Sequence, residues 1–340
     1  MRRARPGARR RSGGRVLSRA GASAAIPLEA IERARELTAD AVRESPLVRL
    51  DVDAPGEIWL KLESLQPIGS FKLRGATSAI HQTEPDEWRA GVWTTSAGNM
   101  AQGVCWVARE LGVRATVVAP DHAPRAKLDA IARLGGEVIL VPFDTWWETM
   151  ESGAYPGLDG MFVHPVLDER VMAGNGVIGL ELAERLDAID TVLVPWGGGG
   201  LTCGIASALA AVSPSTRVVA CEPATGAPLS ASLGGDRSTQ VEYTASFVDG
   251  AGSKALLPAM WERARSLVAE AVPLPLAEVA AAVRVLATRA HVVAEGAGAL
   301  SVAAALAGRG GEGRVVCIVS GGNIDADRLA AILAGGVPEA

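Results

Sequence analysis

Lys72 is the residue of this chain best suited to covalent chemistry. It lies in the run Gly69-Ser70-Phe71-Lys72-Leu73-Arg74-Gly75-Ala76, and of the 33 Lys plus Arg only four are lysines: Lys61, Lys72, Lys127 and Lys254. A guanidinium stays protonated and forms no Schiff base, whereas an amine with a lowered pKa does. A chain that uses arginine wherever charge suffices, yet sets a lysine in a Gly-Ser-Phe-Lys turn, points to amine chemistry. Taken alone, Lys72 reads more simply as a solvated lysine at a helix start. The remaining motifs change that balance.

Val192-Leu193-Val194-Pro195-Trp196-Gly197-Gly198-Gly199-Gly200-Leu201 reads as strand, glycine turn and helix start. Consecutive glycines let backbone N–H groups turn toward an anion, and a helix N-terminus adds partial positive charge. A phosphate is the natural occupant; a tight packing turn is the plainer alternative. The dinucleotide fingerprint G-x-G-x-x-G fits no register, because Thr202 and Cys203 stand where its third glycine belongs, and no G-x-x-x-x-G-K-[ST] occurs. Ser96-Ala97-Gly98-Asn99-Met100 is a second such turn, whose N–H groups and hydroxyl suit a carboxylate, although an ordinary N-cap explains it equally well. Ser320-Gly321-Gly322-Asn323 is a third, offering a neutral serine hydroxyl at a strand end.

These turns must be positioned by the elements around them. Short Val/Ile-rich runs alternate with helical patterns. Strands are expected at 56–61, 91–95, 115–119, 137–141, 160–163, 191–195, 217–221 and 315–319. Helices are expected at 27–43, 71–81, 98–111, 123–134, 169–185, 200–211, 255–269, 276–289, 295–308 and 325–334. Such alternation predicts an α/β chain with two open, mostly parallel sheet lobes flanked by helices. The expected division is a small domain over 85–168 and a large one over 26–84 and 169–340. In open α/β sheets ligands sit at the carboxyl ends of strands, so the turns are expected to converge on one ligand.

Composition narrows the class. Hydrophobic residues make up 49% of the 340, with few aromatics, which suits helices packed on a buried parallel sheet. No apolar run reaches the roughly 18–20 residues of a membrane span. Residues 1–25 carry eight arginines and no acid, so taking these from the net charge of −5 leaves about −13 on the rest. An acidic body excludes a typical nucleic-acid binder. The Arg-rich tail over 1–25 is expected to be disordered. It lacks the apolar segment of a secretory signal; a functionless extension or an early start fits it, and its composition also fits a mitochondrial transit peptide. Cys105, Cys203, Cys221 and Cys317 stand singly, which predicts reduced thiols in a cytoplasmic protein, and no metal-ligand spacing occurs.

Taken together, an amine nucleophile, a phosphate cradle, a neutral hydroxyl for a ring nitrogen and a carboxylate turn form the set that pyridoxal phosphate requires. From Ile26 to Leu333 the chain resembles the fold-type II pyridoxal-phosphate enzymes, the class of the tryptophan synthase β-subunit, and most closely the serine/threonine dehydratases and serine racemases. Further motifs that carry the resemblance are Ser45-Pro46-Leu47, Ala123-Pro124 with Lys127, Ala173-Gly174-Asn175-Gly176, Glu222-Pro223, Asp249-Gly250 and Glu295-Gly296-Ala297-Gly298-Ala299. The resemblance implies that Lys72 forms the Schiff base and shuttles the Cα proton. It implies that Phe71 packs on the cofactor, Asn99 bonds its 3′-oxygen, Gly197, Gly198, Gly199, Gly200 and Leu201 hold its phosphate, and Ser320 meets its pyridine nitrogen. Ser96, Ala97, Asn99, Met100 and Trp147 are the expected substrate contacts. The implied activity is α,β-elimination on a threonine- or serine-like β-hydroxy amino acid. A β-replacement synthase and a non-catalytic amino-acid binder are the rivals. A homodimer or higher homo-oligomer is expected.

Four departures from the family pattern qualify this. Met100 replaces a histidine. Ala97 replaces the serine that serves racemases as an acid/base, so efficient racemisation is not expected. Pro228 stands where some relatives pair an aspartate with the glutamate matching Glu222 at a divalent-cation site, so no metal is expected. Trp147 stands near an arginine that contacts substrate carboxylate in racemases; core packing is its alternative reading. The chain ends soon after Ser320, so feedback inhibition through a C-terminal regulatory domain is not expected.

Overall fold

The computed structural model describes residues 24–123 and 125–339. The expected tail lies outside the described residues except for Ala24 and Ala25, and so does Pro124. Ten strands form two sheets: β1 (Leu47–Arg49), β2 (Glu57–Lys61), β3 (Val92–Thr94), β4 (Ala115–Pro120), β5 (Glu137–Val141), β6 (Met161–Phe162), β7 (Thr191–Pro195), β8 (Arg217–Pro223), β9 (Glu270–Leu274) and β10 (Arg314–Ile318). The larger sheet has the order β1-β2-β10-β7-β8-β9 and the smaller β5-β4-β3-β6. All pairings are parallel except β1 with β2. The fold is therefore α/β with two mostly parallel sheets.

The strand period of two explains the high apolar content. Leu193, Val315 and Cys317 join a core with Val279, Val283, Leu300 and Val302 of helices Leu276–Val285 and Gly296–Leu306. Their neighbours Val192, Val194, Val316 and Ile318 join another with Ile178, Leu182 and Ile205 of helices Glu169–Arg185 and Gly200–Val212. Both faces of the central strands are covered, as a parallel sheet requires. Among the described residues no helix is long and apolar enough to cross a membrane.

The two strands absent from the expected set are both at sheet edges. β9 contains Pro273, which removes a ladder donor and is tolerated where one side has no neighbour. β1 has only three residues and pairs antiparallel. The helix expected over 276–289 instead changes to a π-turn at Leu286–Ala290 and stops at His291, whose φ is 56°. Helices Pro85–Trp88, Phe143–Ser152 and Pro228–Gly235 lie outside the expected set.

Candidate active site

Lys72 opens helix Lys72–His81, and hydrogen bonds fix that opening. Phe71 N–H donates to Ser320 O at 3.0 Å, Gly322 N–H to Gly69 O at 2.9 Å, and Ser70 bridges Gly321. The Gly69–Phe71 and Ser320–Gly322 turns are thus paired as a short ladder, which brings Lys72 beside Ser320. Behind it, Arg74 is fully buried and grips two carboxylates. Its Nε and Nη2 donate to Glu63 at 2.8 and 2.9 Å, and its Nη1 and Nη2 to Glu181 at 2.7 and 2.9 Å. Lys61 Nζ adds a bond of 2.5 Å to Glu181, and Ser45 Oγ one of 2.5 Å to Glu63. Two buried cations and two buried anions so tie the helix of Lys72 to β2 and to helix Glu169–Arg185.

The Lys72 amine points into a cavity of about 520 Å³. Its Nζ lies 3.5 Å from Pro165 O and 5.1 Å from the Phe71 ring centre. Loss of water around it pushes its pKa down to about 8, a fall that the Glu295 charge opposes. The wall does this although the side chain as a whole is only half-buried. Pro165 is held by an unusual device. His164 Nδ1 accepts from the N–H of Val166 at 3.1 Å and of Leu167 at 3.0 Å, and burial pushes the imidazole down to about 4. His164 is therefore neutral, with its proton on Nε2.

The glycine loop lines the same cavity and precedes helix Gly200–Val212. Gly199 has φ +93°, and a Cβ there would lie 2.5 Å from the buried Trp196 ring and 2.8 Å from Met260 Cε. A Cβ on Gly198 would meet Val166 Cγ2 at 2.5 Å. Only a bare backbone fits, which leaves amide groups as the loop's surface toward the cavity. This is a cradle suited to a phosphate, and with Lys72 and Ser320 in the same walls the residues fit pyridoxal phosphate.

Of the residues singled out in the sequence, Phe71, Lys72, Ser96, Ala97, Asn99, Met100, Gly197, Gly198, Gly199, Gly200, Leu201 and Ser320 all line this cavity. Trp147 does not. Its side chain is 39% exposed, and the residue lining the cavity is its neighbour Trp146. Consecutive helix residues point about 100° apart, so only one of the pair faces inward. Trp146 Nε1 donates to Thr95 O at 2.8 Å. Ser96 Oγ accepts from Gly98 N–H at 3.3 Å, and Met100 is as much core as wall, being 1% exposed.

The sequence marks Glu295 only as the first residue of the run Glu295–Ala299 and gives its side chain no role. Glu295 is buried and lines the cavity. Burial, with Asp249 nearby, pushes its pKa up to about 8 against the opposing Asn99 hydrogen bond. Asn99 Nδ2 donates to Glu295 Oε1 at 2.8 Å, and Asn99 Oδ1 accepts from Asn323 Nδ2 at 2.7 Å. That network sets the amide's orientation. Glu222 accepts the backbone N–H groups of Leu229 at 3.0 Å and Ser230 at 2.8 Å. The start of helix Pro228–Gly235 thus faces this carboxylate.

Residues 38–321 match the family described as pyridoxal-phosphate dependent enzyme. An L-threonine ammonia-lyase of Thermotoga maritima is 38% identical over 319 residues, covering 91% of this chain and 78% of that protein. A catabolic L-threonine dehydratase of Staphylococcus aureus is 36% identical over 324 residues, covering 92% and 93%. Among solved structures, maize serine racemase superposes with a TM-score of 0.82 at 28% identity, over 92% of this chain and 98% of that one. The family match spans both sheets and every residue that lines the cavity, and the chain belongs to the pyridoxal-phosphate-dependent enzymes.

Proposed function

We propose that the protein is an ammonia-lyase acting on a threonine- or serine-like β-hydroxy amino acid, which it converts to a 2-oxo acid and ammonia. The observation that carries this reading is the meeting of Lys72, the glycine loop, Ser320 and the Ser96–Asn99 turn in one cavity. When bound, pyridoxal phosphate supplies an electrophilic aldehyde and a conjugated ring that takes up electrons from the Cα–H bond. The chain's own groups do the rest. Lys72 presents an amine whose lowered pKa leaves a useful neutral fraction near pH 7. The same amine then holds and moves the Cα proton. The glycine loop and helix start hold the phosphate dianion. Ser320 would offer the ring nitrogen a neutral hydroxyl in place of a carboxylate, so it would not hold a proton there by charge. Ser96 and the turn's amides bind the substrate carboxylate, and Asn99, oriented by Asn323 and Glu295, positions the ring oxygen. Ala97 puts a methyl group where racemisation needs an acid/base.

The similarity to threonine ammonia-lyase and dehydratase over nine-tenths of the chain supports the same reading. We further propose a cytoplasmic homo-oligomer with a small domain over 85–168, built on the sheet β3–β6, and a large domain around the other sheet. The test is release of 2-oxo acid from L-threonine, L-serine and D-serine by purified holoenzyme, with borohydride fixing the cofactor to the protein. The expected adduct is on Lys72. An adduct on Lys61, Lys127 or Lys254, or no oxo acid from these three or from a β-hydroxy amino acid with a bulkier Cβ substituent, overturns the assignment.

A further inference from the structure

The cavity that contains Lys72 and the Ser96–Asn99 turn is also lined by His122, Phe143, Trp146 and Tyr243. Ring centres lie 5.4 Å apart for Phe143 and Trp146, and 6.1 Å for Phe143 and His122, so these three form one continuous aromatic wall. The indole N–H of Trp146 is already used on Thr95 O, and the ring therefore offers the cavity an apolar face. The same bond fixes the wall at the residue preceding Ser96. In an amino acid the carboxylate and Cβ hang from one Cα, so a wall beside the carboxylate turn is within reach of the Cβ substituent.

Charge and exposure point the same way. The described residues lining the cavity include no arginine, and Lys127 is paired with Asp249 at 2.7 Å. With Lys72 taken as the nucleophile, an acidic substituent finds no spare cation. A methyl or hydrogen at Cβ would leave the rings facing water. Phe143 is 49% exposed, so its ring is not covered by the protein's own core.

We propose that the site takes β-hydroxy amino acids whose Cβ carries an aryl ring, and that Phe143 and Trp146 determine this specificity. The inference rests on the ammonia-lyase reading and names its substrate class. For 3-phenylserine the balance is simple. Cα gives up a proton, and the Cβ–O bond breaks with its electron pair, so water leaves. The resulting enamine tautomerises, takes up one water and releases ammonia, giving phenylpyruvate with no oxidant or reductant.

The experiment compares kcat/KM of holoenzyme for L-threo-3-phenylserine, L-threonine and L-serine. In an apolar pocket even one methylene discriminates roughly 10–200-fold, so phenylserine should exceed threonine by about tenfold or more. Phe143→Ser, at a half-exposed position that the fold tolerates, should lower the phenylserine value by about tenfold and the threonine value less. Trp146→Leu, with its melting temperature checked, should do the same. L-phenylalanine has no β-leaving group, and calorimetry should find it bound about tenfold more tightly than L-alanine. Threonine turned over better than phenylserine, with no effect of Phe143→Ser, overturns the proposal and leaves the ammonia-lyase reading intact. Phenylalanine bound no more tightly than alanine overturns the aromatic wall independently of any turnover. No oxo acid from any substrate overturns the lyase reading itself.

Discussion

Apoprotein should take up pyridoxal phosphate through Lys72 at a rate that climbs with pH to about 8 and then levels. Only the neutral amine attacks an aldehyde, and burial lowers the Lys72 pKa from 10.5 to about 8. At pH 7 a lysine titrating at 8 is about 9% neutral and one at 10.5 about 0.03%, a ratio of about 300. The perturbation is Glu295→Gln. The Glu295 charge raises the Lys72 pKa, and Glu295 itself is pushed up to about 8. At pH 7 the carboxyl is therefore mostly protonated, and its removal should change little. Above pH 8 the wild-type carboxylate holds the amine proton longer, so Glu295→Gln should bring the plateau to lower pH. The assay is stopped-flow absorbance of uptake between pH 6 and 10, with the adduct fixed by borohydride and mapped to Lys72. A wild-type rate that keeps rising tenfold per pH unit up to pH 10 refutes the desolvation argument. A plateau that moves upward in Glu295→Gln refutes the sign of the coupling.

Three further outcomes follow from the geometry. Gly199→Ala should lower apoprotein stability by about 1–2 kcal/mol for the left-handed conformation and about 1–3 kcal/mol for the clash with Trp196, read from urea midpoints. Arg74→Met leaves Glu63 and Glu181 facing each other with only Lys61 between them, and should cost about 3–5 kcal/mol in the same assay; Arg74→Lys should recover little, because a single ammonium cannot bond both carboxylates as the fork does. Ala97→Ser should add racemisation, detected by chiral analysis of unreacted substrate during turnover, where wild type produces none.

Much of the fold was readable because the central strands of the larger sheet are short runs rich in Val, Ile and Leu, bounded by glycine turns. Thr191–Pro195 and Arg314–Ile318 came out within a residue of their expected bounds. The two edge strands of the larger sheet were not readable: β1 has only three residues, and in β9 Pro273 argues against a strand until the sheet order places it beside a single neighbour. The cavity's glycine turns carried their own signal. Its ring-bearing wall did not, because Trp146 and Trp147 differ only in which way one helix turn faces. His164 gave no sign either, for its role is to accept two backbone N–H groups three residues or fewer away. Neither spacing nor composition records that kind of local bond.

The opposed shifts of Lys72 and Glu295 bear on how the apoprotein receives the cofactor. A lysine pushed down to about 8 and a glutamic acid pushed up to about 8 are each driven toward neutrality by the same loss of water. Their mutual attraction works against both shifts and is outweighed. Near pH 7 the carboxyl is mainly protonated and the amine, though mainly ammonium, is within one pH unit of losing its proton. An incoming pyridoxal phosphate would bring an aldehyde, which the neutral amine attacks, and a phosphate, which the glycine loop's amides would hold. Asn99 is the hinge of this arrangement. Its amide nitrogen is held by Glu295 and its oxygen by Asn323, whose own nitrogen also reaches Ile68 O at 2.9 Å. Protonation of Glu295 therefore acts on the cavity through a hydrogen-bonded side chain as well as through charge. Rising pH then releases the Lys72 proton and charges Glu295 in the same interval, which ties the readiness of the nucleophile to the orientation of the residue beside it.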